Sequence, residues 1–140
     1  MESVFQIHFA ATLFMTGVIW MVQLVHYPSF CYFEQGSFAA AMKRHQFFTT
    51  LVVAPPMLIE FATGTFLLFG SSKHLEYSVP NLAFLLATWG FTFWLSVPKH
   101  EKLACGYDKD LIRALVLSNW PRTIAWSARS ILLTFWWRVT

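Results

Sequence analysis

FFTTLVVAPPMLIEFATGTFLLF, residues 47–69, is a long apolar run with one carboxylate, Glu60, set in its middle. At about 100° per residue, Thr49, Pro56, Glu60 and Thr63 fall on one side of a helix, with His45 on the same line just upstream. A helix in water hides its apolar face. In hydrocarbon the polar face must turn inward, because an unpaired polar group there is costly. The stretch therefore reads as a membrane helix whose polar edge meets other protein.

The same inverted pattern recurs on both sides of it. Residues 4–27, 80–97 and 121–137 are also apolar, and each approaches the ~20 residues that span a bilayer core as a helix. The first aligns His8, Thr12, Thr16, Gln23 and His26; the third aligns Asn81, Thr88, Thr92 and Ser96; the fourth aligns Asn119, Arg122, Trp126 and Arg129. Of the 140 residues, 56% are hydrophobic and only 12% charged, about half the charge of a soluble domain. The expected fold is an all-α integral membrane four-helix bundle, up-down-up-down, forming one domain over residues 1–140.

Basic residues are retained on the cytoplasmic side of short loops. Lys43 and Arg44 lie in the first connection, and Lys99, Lys102, Lys109 and Arg113 in the third, against Lys73 and Arg138 on the other side. Both termini should then face away from the cytoplasm, and the net charge of +3 needs no nucleic acid to explain it. The start Met1-Glu2-Ser3 lacks a basic leader region, so the first span reads as a retained helix. Cys31 and Cys105 fall in the cytoplasmic connections, where thiols stay reduced. Those connections should carry helix of their own: an extension after Ser37, and a short amphipathic helix over residues 111–116 opened by Asp108 and Asp110.

Three groups of residues carry chemistry. Glu60 and Arg129 are the deepest ionisable groups, and an isolated charge at such depth is penalised while a paired one is tolerable, so they should pair. That pair either fixes helix packing or lets Glu60 relay a proton. His26, His45 and His100 lie at one depth on three different helices, and could bind iron or copper or give haem its axial ligands. Each imidazole could equally be an interfacial residue bonded to water or headgroups. Asn119 and Arg122 open the last span beside them, and Trp126 shares their face, placed to stack on a guanidinium or a planar ligand. Pro55 and Pro56 should kink the second span and free carbonyls near Leu51 and Val52, and Pro121 leaves Asn119 between helix and turn.

His-Tyr-Pro after the first span, Pro-Pro-Met-x-x-Glu in the second, and Val-Pro-x-His-x-x-Leu-x-x-Gly-x-Asp followed by Asn-Trp-x-Arg-Thr resemble small four-helix bacterial membrane proteins. From Val97 to Arg129 the chain is also similar to the anthrone-oxygenase-like group, with Pro98, His100, Asn119 and Arg122 on its motif positions. His100 departs from the Asn more common there. The resemblance implies a four-helix fold, a bacterial inner-membrane location and oxidation of a lipophilic aromatic or quinol-like substrate.

Two functions follow as expectations. One is a membrane oxidoreductase-like protein in which His26, His45 and His100 bind metal or haem, Trp126 lines the cofactor, and Glu60, Asn119, Arg122 and Arg129 serve the reaction. The other is a non-catalytic subunit of a larger membrane complex, or a homo-oligomer, in which the polar groups only set register.

Overall fold

The computed structural model describes residues 1–70 and 74–139, so Lys73 of the outer connection and Thr140 lie outside the described residues. The chain is all-α and builds four long rods. The first is α1 (Glu2–Met21), a π-helical segment (Val22–His26), α2 (Tyr27–Ser29) and a 3-10 turn (Phe30–Tyr32). The second is α3 (Phe38–Phe69). The third is α4 (Leu75–Phe91), a second π-helical segment (Thr92–Ser96) and α5 (Val97–Leu103), and the fourth is α6 (Lys109–Trp137). α1 packs against α3 and α6, and α4 packs against the same two, which closes an up-down-up-down ring.

Three rods, Glu2–Tyr32, Phe38–Phe69 and Leu75–Leu103, are long and apolar enough to cross a membrane. The fourth is not, which corrects the expectation of four equivalent apolar spans. α6 carries Asn119, Arg122, Thr123, Arg129 and Ser130, all buried. It gathers more buried polar groups than any other helix, two of them arginines, and its mean hydropathy falls accordingly.

The rods also outrun the apolar stretches that announced them. α6 begins at Lys109 because the Asp108 carboxylate accepts from the amides of Asp110 and Leu111, each at 2.9 Å. The expected short helix over residues 111–116 is its first part, and Pro121 lies within it. Pro121 stands well inside this long helix, which continues on both sides of the one lost amide, so Asn119 is helical rather than in a turn. α3 likewise runs through Pro55 and Pro56 and absorbs the extension after Ser37, whose hydroxyl donates to the Glu34 carbonyl at 3.3 Å instead of capping. α4 starts five residues before Pro80, anchored where Tyr77 stacks on Trp136, 6.1 Å between ring centroids.

Both π-helical segments have one cause. Each is followed within two residues by a proline, Pro28 in α2 and Pro98 in α5. Proline has no amide to give to the carbonyl one turn back, and a widened turn reroutes the ladder around the loss. Side chains also bond carbonyls beside these segments: Ser29 donates to the His26 carbonyl at 2.7 Å, and Lys99 Nζ to the Leu95 carbonyl at 2.8 Å.

The packing is inside out relative to a soluble bundle. Phe47, Leu58, Ile124 and Leu117 are exposed, and Trp94 is 80% exposed, while Glu60, Arg129, Asn119, Thr88 and His8 are completely buried. No residue of the four polar stripes is exposed. Apolar clusters close the two ends. Phe5, Leu67, Leu133 and Trp136 meet where the termini lie, and Phe30, Phe38, Met42, Leu103 and Ile112 meet at the opposite, histidine end.

Candidate functional site

Two polar centres occupy the interior. The first is midway along the bundle, where α1, α3, α4 and α6 face each other. Arg129 donates to Glu60 through Nη1 at 2.7 Å, with both side chains fully buried. Thr12 donates to the same carboxylate at 2.9 Å, and the Trp126 indole reaches both its oxygens at 3.3 Å. The other edge of the guanidinium bonds Asn81 Oδ1 at 3.2 Å and Thr12 Oγ1 at 3.3 Å. Asn81 passes the network to His8 Nε2 at 3.0 Å, and His8 Nδ1 shares a hydrogen bond with Thr63 at 2.8 Å. The His8 ring packs closely on Gly64, where a Cβ would stand 3.0 Å from His8 Cε1 and the ring would have to shift by a few tenths of an ångström.

The second centre is at the histidine end. His26 closes the first π-helical segment and Tyr27 opens α2, His45 comes from α3, and His100 from α5. His26 Nε2 and His45 Nδ1 are 2.9 Å apart and share a hydrogen bond, and Thr49 lies 3.0 Å from the same His45 nitrogen. His100 Nε2 shares one with the Tyr27 hydroxyl at 2.9 Å, and the His100 carbonyl accepts from Gln46 at 2.6 Å. The rings of His45 and His100 approach to 5.4 Å between centroids. Below them Arg122 donates through Nη1 to Asn119 Oδ1 at 3.0 Å and Ser96 Oγ at 3.1 Å. Asn119 is fixed in turn by donating to Gln23 at 2.9 Å.

These groups border a cavity of about 230 Å³ between α3 and the third rod, lined by His45, Thr49, Thr50, Val53, Ser96, Val97, His100 and Arg122 among others. The volume is below the roughly 300–1,000 Å³ of usual small-molecule pockets, so it suits a head group rather than a whole planar macrocycle. Two buried polar atoms here lack partners, His100 Nδ1 and Arg122 Nε. A buried polar atom without a partner is uncommon enough to call for an explanation.

The three imidazoles predicted to share one depth do converge, from three helices. They do not form a ligand set as placed. A metal needs nitrogens pointing at one vertex about 2.0–2.2 Å away, whereas His26 and His45 point at each other and His100 Nε2 points at a phenol. Among the described residues no group of three His, Cys, Asp or Glu side chains is arranged to hold a metal ion. Haem ligation meets the same obstacle, and the cavity is small for it.

Of the remaining predicted site residues, Arg122 lines the cavity, and Asn119 positions it from behind. Trp126 is fully buried between the centres, bonding Glu60 while the Arg122 guanidinium lies 5.5 Å from its ring centroid. It meets a guanidinium, as its face suggested, but does not border the cavity. Glu60 and Arg129 belong to the other centre. Sequence reasoning missed Tyr27 as a partner of His100, and Thr123, Ser96 and Gln23 as supports of Asn119 and Arg122. The signal for Tyr27 was present: it lies between a histidine and a proline, where a widened turn redirects side chains. No family model, curated protein or solved structure matches the chain.

Proposed function

We propose that the chain is a multi-pass membrane protein of the bacterial inner membrane, with both termini outside the cytoplasm. Its histidine end would bind the hydroxyl-bearing head of a lipophilic quinol-like or aromatic molecule. Three long apolar helices, an apolar exterior and a polar interior support the membrane reading. The exposed Lys43, Arg44, Lys102 and Arg113 at the histidine end support the orientation. The observation that carries the binding reading is the side cavity in which His45, His100 and Arg122 meet.

Chemically, His100 and His45 can each accept a proton from a phenolic hydroxyl, and Tyr27 and His26 can pass it on through bonds already formed. That is the proton half of an oxidoreductase-like reaction. The electron half, expected to fall to iron, copper or haem, finds no converged ligand set, so the proposal is confined to binding and proton exchange. The saturated Glu60 centre favours a second reading, an accessory subunit of a larger membrane complex whose buried polar groups only set register.

Binding of a short-tailed hydroquinone to the purified protein in detergent tests the first reading. Saturable binding that is lost in His100→Ala and in Thr50→Trp, which plugs the cavity, is expected. Wild-type protein that binds none would leave the subunit reading. The membrane-impermeant labelling of Cys105, an exposed free thiol between α5 and α6, tests orientation. It should react only from the cytoplasmic face.

A further inference from the structure

Arg122 is the one feature of the histidine end that hydroxyl binding leaves unexplained. It is 6% exposed, yet none of the ion pairs among the described residues involves it. Its bonded partners are neutral, the Asn119 carbonyl and the Ser96 hydroxyl; the neutral Tyr27 hydroxyl also lies beside the guanidinium, the Trp126 ring is 5.5 Å away, and Nε has no partner. The other buried guanidinium, Arg129, touches a carboxylate at 2.7 Å. A buried cation without a counter-charge is strongly unfavourable, more so in hydrocarbon. The cavity wall carries one carboxylate, Glu101, and that residue is exposed.

We infer that the cavity receives the anionic head of an amphiphile, a carboxylate or phenolate, with Arg122 as its counter-ion. The inference rests on the binding reading above and adds the charge of the ligand. A neutral quinone carbonyl could accept one hydrogen bond but would leave the guanidinium uncompensated; an anionic oxygen does both. His100 also lines the cavity, and its Nδ1 is buried without a partner. Thr50 and Val97 line the cavity and are themselves exposed on the outer surface, so an apolar tail can leave between α3 and α5 along the side of the bundle. An opening toward the flank rather than the end selects a molecule that resides in lipid.

The test compares decanoate, its uncharged amide decanamide, and acetate, binding to the whole protein in neutral detergent with protein-free micelles as the blank. Decanoate should bind at least tenfold more tightly than decanamide, with acetate weaker still, and Arg122→Gln should level decanoate with decanamide. Decanamide binding as tightly as decanoate in the wild type would overturn the inference, and that comparison holds even if the variant does not fold. Acetate matching decanoate would overturn the amphiphile, leaving a site for free small anions. Hydroquinone binding without preference for the carboxylate would sink this inference alone, whereas a wild type that binds neither would sink the binding reading as well.

Discussion

Glu60–Arg129 and Arg122 are two answers to the same problem, a guanidinium inside a bundle with an apolar exterior. In the middle of the molecule the charge is neutralised by a carboxylate, and threonine, indole and asparagine occupy the remaining positions. At the histidine end the charge meets only neutral groups, beside a cavity that Arg122 itself helps to line. Saturation marks a centre that holds helices together. The unpaired one is where the proposed binding would act.

The sharpest way to break this contrast is to remove one half of the closed centre. Glu60→Ala or Arg129→Ala strands a buried charge and should cost about 3–5 kcal/mol, read as loss of the folded species in a detergent melting experiment. The double substitution Glu60→Leu with Arg129→Met should cost far less than the two single changes summed; additive losses would mean that the pair does not act as a unit. Next comes Gly64→Ala, which presses a methyl group onto His8. A loss of about 1–3 kcal/mol is expected from such overpacking, and an unchanged melting temperature would show that His8 moves freely. Asp108→Ala removes the cap of α6 and should cost about 1 kcal/mol. Hydrogen exchange should show it as fraying confined to the residues just after position 108. The smallest effect belongs to the open centre: Arg122→Gln exchanges an uncompensated charge for a neutral amide. Stability should change by less than about 1 kcal/mol, net, as lost hydrogen bonds offset relief of charge burial. A loss as large as that of Arg129→Ala would erase the distinction between the two centres.

Much of this was legible before any coordinates. Helical spacing put Thr12, Glu60, Asn81 and Arg129 on inward faces, because in hydrocarbon a polar side chain has only one direction to go. Depth counting then paired Glu60 with Arg129. The same logic set Asn119, Arg122 and Arg129 inward on α6 but counted that helix as an apolar span like the others, although those very groups lower its hydropathy below theirs. It also brought His26, His45 and His100 together without revealing their hydrogen bonds. Residue type and depth locate an imidazole, but where its nitrogens point depends on rotamers and on the local winding of the backbone. Proline was the subtler signal. Pro28 and Pro98 leave the rods continuous, and Pro121 and Pro55–Pro56 lie inside uninterrupted helices, so punctuation rules drawn from soluble proteins overstate breaks here.

The widened turns at Val22–His26 and Thr92–Ser96 lie at the entry to the histidine end and supply His26, Gln23 and Ser96 to it, on rods that also supply the other centre. An added residue resets the angular phase of everything beyond it by roughly 100°. Deleting Phe93, for example, would rewind that rod and swing His100 away from Tyr27 while leaving Asn81 against Arg129. On these two rods the winding of the histidine end is thus set apart from that of the Glu60 centre, whereas α3 and α6 run uninterrupted through both and keep the two in register.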